Sequence, residues 1–395
     1  MSRPLLVIFL TIFVNLVGFG IIIPLLPFYA GTFGASPLVI GLLFASFSLC
    51  QLIASPVLGE WSDRYGRRPV LVFSLAGTVV SFVMLALAHS VTMLFLARIV
   101  DGLSGGNIST ARAYVADITE PKDRARAFGV LGAAFGLGFI FGPALGGMLA
   151  KVSYTAPIWA AAGLTLVAAV MAVAWLPETV HRSHASAGNP LSYLPELLNR
   201  PLIRRVLLID LLYWFSMAVF QTVFALFAAR RFNSAAVGTG YFLAAFGLLG
   251  VVVQGACIRP IVKRLGDKPT FMLGLVCTAV GLAAASFTQS MTMFALTLVP
   301  LSLGQGLAMP TLSSLVSRTA GPDEQGRVQG AASAVESLGR TVGPVWGTGA
   351  FQRISDSTPY VSAAACLLIT LLLSVGYRVS KADGPAPTPE RSPAI

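Results

Sequence analysis

The chain has 395 residues, of which 55% are hydrophobic and only 11% are charged. A soluble domain carries about 25% charged residues, so this composition excludes an ordinary soluble protein and indicates one whose solvent is the bilayer. The net charge of +11 is typical of a nucleic-acid binder. The basic residues, however, lie in short loops between apolar runs and form no continuous stripe, which excludes that class as well.

Twelve apolar runs follow one another along the chain, and each is long enough for a membrane-spanning helix of about 20 residues. The runs are continuous rather than alternating, which favours helices over the strands of a barrel. The first run continues beyond a signal peptide without a cleavage site, so we interpret it as a span. The predicted spans are residues 4–30, 38–58, 69–90, 92–116, 126–150, 154–176, 204–229, 236–262, 269–289, 291–316, 327–351 and 357–380.

Lysine and arginine are distributed unevenly between the loops on the two sides of these spans. Of the 27 basic residues, 20 lie in one set of loops, four lie in the other set and three are inside spans. Loops rich in Lys and Arg stay on the cytoplasmic side of a membrane. We therefore expect a protein of the bacterial inner membrane with both termini in the cytoplasm and a disordered cytoplasmic tail at 381–395.

The sequence repeats itself with an offset of 200 or 201 residues. The three matching pairs are RYGRRP (64–69) with RLGDKP (264–269), VTMLFLA (91–97) with MTMFALT (291–297), and GPALGG (142–147) with GPVWGT (343–348). The repeat predicts two six-helix halves, 1–176 and 204–380, related by a pseudo-twofold axis along the membrane normal and joined by a cytoplasmic linker at 177–203. Transporters built in this way bind substrate near the midplane, between the halves.

Four segments carry a resemblance to a known family. GEWSDRYGRRP (59–69) resembles a loop motif written G-x-x-x-D-R-x-G-R-R, FLARIVDG (95–102) a motif R-x-x-x-G, GLGFIFGPALGG (136–147) a motif G-x-x-x-G-P-x-x-G-G, and VGFGIIIPLLPFYA (17–30) a first-helix pattern. On these residues the chain resembles the major facilitator superfamily, in particular its twelve-span drug:proton antiporters, which include the tetracycline exporters. The resemblance implies an all-α fold that works by alternating access.

The resemblance also implies a cytoplasmic gate at the first of these segments. Asp63 is expected to face the N-terminal end of the eleventh span, where a helix dipole favours an anion, and Arg67 to pair with Asp117. Such contacts are expected to hold while the cytoplasmic side is closed and to break when it opens; alternatively, the charges only solvate a turn and set the topology. The expected gate residues are Gly59, Asp63, Arg64, Gly66, Arg67, Arg68 and Asp117. In the second copy, Lys263 replaces the acid and Asp267 replaces an arginine, which predicts an asymmetric gate.

The fifth predicted span carries glycines at four-residue spacing around a proline, at Gly138, Gly142, Pro143, Gly146 and Gly147. Such spacing lets helices touch without intervening side chains, and proline removes one backbone hydrogen bond and bends the helix. We interpret these residues as a seam along which helices rock; the alternative is ordinary packing of small residues.

Charged residues inside spans are the candidate site. Arg98 and Asp101 are three residues apart and share a helix face, and an ion at this depth normally lies against a cavity and is paired. Burial favours the neutral acid and Arg98 favours the carboxylate, a balance typical of a proton carrier; the alternative is a permanently closed ion pair. Glu336 and Arg340 form a second candidate pair, which the first half lacks. Asp210 is expected near the surface, paired with Arg204 or Arg205.

Neutral polar residues complete the candidate proton and substrate site, which consists of Asp101, Arg98, Asn15, Glu336, Arg340, Gln221, Gln254 and Gln305. Asn15 occupies a position where many relatives carry an acid, so proton coupling would rest on Asp101, Glu336 or both. The seventh span is rich in aromatic residues (Tyr213, Trp214, Phe215, Phe220 and Phe224), which predict either an aromatic wall for amphiphilic ligands or a lipid-facing surface.

These features predict a monomeric secondary transporter that exports amphiphilic small molecules in exchange for protons. It has no phosphate-binding G-x-x-x-x-G-K-[ST] segment, so ATP is not the expected energy source. We expect no enzymatic activity, cofactor, metal or nucleic-acid partner. Two alternatives stay open: a transporter of a sugar, organic anion or other metabolite, and a membrane sensor that binds a ligand without transporting it.

Overall fold

The computed structural model describes residues 3–105, 107–119, 124–179, 190–320 and 324–376. Within these ranges every regular element is a helix. The helices are α1 (Arg3–Thr32), α2 (Pro37–Tyr65), α3 (Arg67–Ala86), α4 (Val91–Leu103), α5 (Asn107–Ile118), α6 (Arg124–Leu149), α7 (Ala156–Trp175), α8 (Pro190–Leu198), α9 (Pro201–Phe232), α10 (Ala236–Val252), α11 (Ile258–Leu265), α12 (Asp267–Ser286), α13 (Met291–Ser317), α14 (Gln325–Arg353) and α15 (Thr358–Val375). The predicted tail at 381–395 lies outside the described residues.

These helices confirm the predicted all-α membrane fold. In the described part of the chain, nine helices are long and apolar enough to cross a membrane, when α10 and α11 are counted as one helix from Ala236 to Leu265. The three other predicted spans are the α4–α5 pair, α6 and α14. The Val253–Cys257 turn, which joins α10 to α11, is a π-helix, a local widening that occurs often at functional sites.

The fourth predicted span is not one continuous helix, so the prediction of an unbroken helix over 92–116 is wrong. The α4 helix ends at Leu103, and the next helix, α5, begins at Asn107. Two adjacent glycines in the sequence, each costing about 1 kcal/mol in a helix relative to alanine, favour a break here. The side chain of Gln51 on α2 donates a hydrogen bond of 3.1 Å to the freed carbonyl of Gly105.

The two halves have the same packing arrangement, which confirms the repeat. In the N-terminal half α1 packs on α6 and α7, and α3 packs on α4 and α7. In the C-terminal half α9 packs on α14 and α15, and α12 packs on α13 and α15. The main contacts between halves are α2 with α14 and α6 with α10, which are also related by the repeat. Below, the basic face is the side where α2 ends and α3 begins, and the opposite face is the side where α1 ends.

A short helix that the sequence analysis did not predict, α8, lies in the linker between the halves. Its Leu197 is fully buried in the hydrophobic core of the C-terminal half, and its Glu196 forms an ion pair with Arg327 of α14. The guanidinium of Arg200 donates hydrogen bonds of 2.7 and 2.9 Å to the two carboxylate oxygens of Glu324. These hydrogen bonds hold the pKa of Glu324 below its ordinary value, so the contact is present at neutral pH and is lost only as the pH falls through that lowered pKa. The linker helix is therefore attached to the C-terminal half.

Candidate transport pathway

The glycines of α6 form a close seam with α1 of the same half. A Cβ atom at Gly138 would lie 2.6 Å from the Cβ of Leu16, and one at Gly142 would lie 2.7 Å from the Cα of Gly20. The corresponding residues 201 positions later, Gly339 and Gly343, pack equally closely on the backbone of α9. Each half is therefore built around one glycine-lined contact between its first and fifth spans, with no room for a side chain.

The contact between the halves is also glycine-based and occurs twice. A Cβ at Gly240 on α10 would lie 2.6 Å from the carbonyl oxygen of Pro143 on α6, and a Cβ at Gly41 on α2 would lie 2.6 Å from the carbonyl oxygen of Pro344 on α14. Nearby, the backbone N–H of Leu38 donates a 3.0 Å hydrogen bond to Gln352. All these contacts lie toward the opposite face, where they bring the two halves together.

Around the loop at 59–69, the structure shows contacts within the N-terminal half. Arg67 forms an ion pair with Asp63 and another with Asp117, with its Nε 2.9 Å from the Asp117 carboxylate. The predicted Arg67–Asp117 pair is thus confirmed. A Cβ at Gly59 would meet no atom within 4 Å, so α2 leaves free space here. The expectation that the Arg67 pair breaks when this side opens stays a prediction.

Two further features fix the shape of this loop. Gly66 has φ = +115°, a conformation that strongly favours glycine. The carboxylate of Glu178, which follows α7, accepts hydrogen bonds of 2.9 and 3.2 Å from the backbone N–H groups of Arg67 and Arg68. The carboxylate thereby satisfies two N-terminal donors of α3. Its negative charge also interacts favourably with the positive end of the α3 dipole. Sequence reasoning missed Glu178, whose partners are more than 100 residues earlier in the chain.

The second copy of the loop contains the same ion pair with its charges exchanged. Asp267 occupies the position of Arg67, and it pairs with Arg318 at the end of α13 while accepting a 2.9 Å hydrogen bond from Ser314. Lys268 donates a 2.8 Å hydrogen bond to the carbonyl of Val375, as Arg68 does to a carbonyl of α7. The second copy is therefore a complete structural element, although its sequence departs from the motif.

Arg98 and Asp101 form a closed ion pair inside the N-terminal half. The Arg98 guanidinium lies 2.9 Å from the Asp101 carboxylate and 4.2 Å from the ring centre of Phe47 on α2. The two residues are only 2% and 4% exposed. The hydroxyl of Thr78 on α3 also interacts with Asp101. In this conformation the geometry favours the structural alternative for the pair, and a proton role for Asp101 stays a prediction.

We predict that single replacements in this pair destabilise the protein more than the double replacement. Arg98→Met or Asp101→Asn leaves one buried charged partner, which costs about 3–5 kcal/mol, whereas removing both charges costs much less. The measurement is thermal unfolding of purified protein in detergent, followed by tryptophan fluorescence. Arg64→Met, at an exposed arginine, is the control. Unchanged unfolding of Asp101→Asn would contradict a structural role and favour the proton carrier instead.

Glu336 and Arg340 lie in the middle of α14, about 17 and 23 Å along the helix from its first residue. Their charged groups are 3.7 Å apart, and their side chains are 28% and 36% exposed. The Arg340 guanidinium lies 4.9 Å from the ring centre of Trp214 on α9. Arg112 on α5 interacts electrostatically with Glu336 across the boundary between the halves. The pair therefore faces the space between the halves and is accessible in part.

The prediction that Asp210 lies near the surface is wrong, because the structure places this residue beside Glu336 and Arg340. These three residues are called the charged cluster below. Asp210 is 2% exposed and interacts electrostatically with Glu336 and Arg340. Its expected partner Arg205 instead donates hydrogen bonds of 2.8 and 2.9 Å to the carbonyls of Leu373 and Gly376. The error came from the helix boundary: α9 begins at Pro201, so Asp210 lies about 14 Å along it.

The remaining candidate residues are dispersed. Asn15 is buried on α1, beside the seam with α6. Gln221 is half-buried on α9, Gln305 is half-buried on α13, and Gln254 is exposed in the π-helical turn. Gln221 lies seven residues after Trp214 and therefore on the same face of α9.

Most of the predicted aromatic wall is hydrophobic core. Tyr213, Phe220 and Phe224 are at most 1% exposed. Phe220 and Phe224 meet edge to face, and both pack against other rings of the C-terminal half. Trp214 and Phe215 are half-buried. Of the five aromatic residues, Trp214 is the one that contacts a candidate charge, so it is the aromatic contribution to the site.

Comparisons with known proteins agree with this architecture. The family model described as "Major Facilitator Superfamily" matches residues 8–344 and 256–394. The tetracycline resistance protein, class C, of Escherichia coli is 32% identical over 382 residues, which cover 94% of this chain and 96% of that protein. Multidrug resistance protein 2 of Bacillus subtilis (strain 168) is 30% identical and covers 95% of each chain. The crystal structure of the human organic anion transporter MFSD10 (TETRAN) has the same fold, with a TM-score of 0.75, 24% identity, and coverage of 94% of this chain and 99% of that one.

Proposed function

The chain belongs to the Major Facilitator Superfamily, and from that premise we propose that it exports amphiphilic, antibiotic-like small molecules in exchange for protons. The observation that carries the proposal is the Glu336–Arg340 pair beside Trp214, accessible in part and deep within the span. An acid, a cation and an aromatic ring together suit a ligand that has charged and apolar parts. Relatives named for tetracycline and multidrug resistance support this substrate class.

We place the basic face in the cytoplasm, with both chain termini, because its loops carry most of the Lys and Arg residues. The halves meet toward the opposite face through Gly41 and Gly240, while Gly59 near the basic face has free space beside it. These contacts support an inward-open conformation that is ready to take a drug from the cytoplasm. Both walls of the pathway come from one chain, which supports a monomeric transporter.

In the proposed cycle the two halves rock around the midplane. As the basic face closes, α2 approaches the first turn of α14, and Asp63 reaches the positive end of that helix. In this cycle Asp117 and Arg67 keep the loop in shape in both conformations, since their ion pair is present in the conformation that we interpret as inward-open. The glycine contacts at Gly41 and Gly240 then separate. The gate role of the loop motif thus belongs to Asp63 and Gly59, and Arg67 holds Asp63 in position.

Transport into inverted membrane vesicles tests the proposed function. Such vesicles expose the cytoplasmic face, and an acid interior supplies the proton gradient for exchange. We expect tetracycline or ethidium to accumulate when the interior is acidic and to leave when an uncoupler dissipates the gradient. Vesicles with the protein but without a gradient, and vesicles without the protein, are the controls. Accumulation that is the same with and without the gradient would exclude proton exchange.

A further inference from the structure

Asp210 is a buried acid with an unsatisfied oxygen. Its Oδ2 atom is inaccessible and has no hydrogen-bond partner among the described residues. An ionised carboxylate in such a place costs several kcal/mol unless it is paired and hydrogen-bonded, so a buried acid of this kind is normally neutral. The nearby hydroxyl of Tyr213 and the Nε of Arg340 are also buried without a partner. The polar atoms around Asp210 are thus not arranged to stabilise a permanent charge.

The charged neighbours of Asp210 come from α14. This helix approaches α9 so closely that a Cβ at Gly339 would lie 3.0 Å from the carbonyl of Leu211, and Glu336 and Arg340 flank that contact. The other helices that pack most closely on α9 are α15 and α13, and neither contains Asp, Glu, Lys, Arg or His. Tyr213 also interacts electrostatically with Asp210, and Cys366 of α15 has its Sγ 3.7 Å from the carbonyl of Leu212.

We propose that Asp210 holds the transported proton in this conformation and that Glu336 and Arg340 make its release depend on the drug. This inference rests on the proposed function, because it assigns the proton of the same exchange. Among the described residues, Arg340 forms its ion pair with Glu336. Asp210 feels the charge of Arg340 but forms no ion pair with it there. Sequence reasoning assigned the proton to Asp101 or Glu336; the structure favours a third acid.

Drug binding provides the trigger for release. A cationic group that binds at Glu336 competes with Arg340 for that carboxylate, and the freed guanidinium turns toward Asp210. The O–H bond of Asp210 then breaks, the proton passes to water at the basic face, and the carboxylate that remains pairs with Arg340 or with the drug. Charge is balanced, since one cation enters the site as one proton leaves it. Glu336 binds the drug, whereas Asp210 couples that binding to the proton.

Proteoliposomes with purified full-length protein separate these two roles. Counterflow of labelled against unlabelled tetracycline needs drug binding and rocking but no proton gradient, whereas accumulation against a gradient needs proton exchange. We expect Asp210→Asn to keep counterflow within about twofold and to lose gradient-driven accumulation at least about tenfold. Asp210→Glu is expected to keep both, with a shifted pH midpoint for accumulation. Glu60→Gln, at an exposed acid near the basic face, is the control and keeps the pH midpoint of the wild type.

The outcomes are distinguishable. Full gradient-driven accumulation by Asp210→Asn overturns the assignment, and so does the loss of counterflow together with accumulation. If Asp210→Asn does not fold, an unchanged pH midpoint of Asp210→Glu overturns it instead. Absence of counterflow in the wild type would instead refute the proposed function. An infrared measurement then tests the protonation of Asp210 without any drug. We expect the C=O band of a protonated carboxyl in the wild type at neutral pH and its absence from Asp210→Asn. Persistence of that band in Asp210→Asn overturns the proposal.

Discussion

Replacing Glu336 with glutamine is expected to weaken the binding of a cationic drug about tenfold to a hundredfold. A hydrogen bond to a charged group contributes about 1.5–3 kcal/mol, and each 1.4 kcal/mol is a factor of ten in affinity. The carboxylate lies 3.7 Å from Arg340, so this loose ion pair can exchange partners when a cation arrives. The amide keeps the size of the side chain but cannot neutralise a positive ligand.

The measurement is the dissociation constant of ethidium, followed by its fluorescence with purified protein in detergent. Glu60→Gln is the matched control, because Glu60 is an exposed glutamate on α2 and its replacement should leave the affinity unchanged. Unlike Asp210→Asn, Glu336→Gln should reduce counterflow as well as gradient-driven accumulation, since it removes a binding group. Ethidium affinity equal to that of the wild type would show that the drug binds elsewhere.

Replacing Gly240 with alanine is expected to open the opposite face of the transporter. The added Cβ would lie 2.6 Å from the carbonyl oxygen of Pro143 and 2.8 Å from the Cα of Gly147, and both are backbone atoms that cannot rotate away. Overpacking of this kind costs about 1–3 kcal/mol, a factor of about five to a hundred in the equilibrium between conformations. The halves can relieve the overlap by separating, so the outward-open conformation should gain population.

A cysteine reporter at the second contact between the halves measures this shift. Thr348 on α14 is fully buried beside Gly41, so Thr348→Cys, in a background without the four native cysteines, should react slowly with a membrane-impermeant maleimide. Gly240→Ala should accelerate that reaction at least about fivefold. Gly250→Ala lies on the same helix, where a Cβ meets nothing within 4 Å, and should not change it. Equal rates in the two variants would show that the halves do not separate as rigid units.

Much of the architecture follows from sequence because bilayer hydrocarbon imposes a simple pattern. Apolar runs of about 20 residues fix the spans, and the offset of about 200 residues fixes the relation between the halves. The Arg67–Asp117 pair was predictable from a motif with strong local constraints, as was the close contact at Gly142. The break after Leu103 coincides with two adjacent glycines. Glycine is tolerated inside helices at a cost, so the local sequence alone does not decide whether a helix ends there.

The charged cluster was only half predictable, for a physical reason. Glu336 and Arg340 are four residues apart on one helix, so the sequence shows their pairing directly. Asp210 joins them through packing of α9 on α14, a contact between residues more than 120 positions apart, and its burial depends on where α9 begins. Glu178 and the helix α8 were missed similarly, since both are stabilised by distant parts of the chain rather than by local propensity.

The exchanged ion pairs at the two related loops have a consequence for how the gene can change. Arg67 pairs with Asp117 in one half, and Asp267 pairs with Arg318 in the other. If recombination between the duplicated segments copied one loop into the other half, an arginine would face an arginine, or an aspartate an aspartate. Such like-charge contacts repel, so hybrids of this kind would be less stable than the parent, by about 1 kcal/mol for an exposed pair. The reversal of charge thus makes the two loops non-interchangeable, so each loop fits only the half in which it lies.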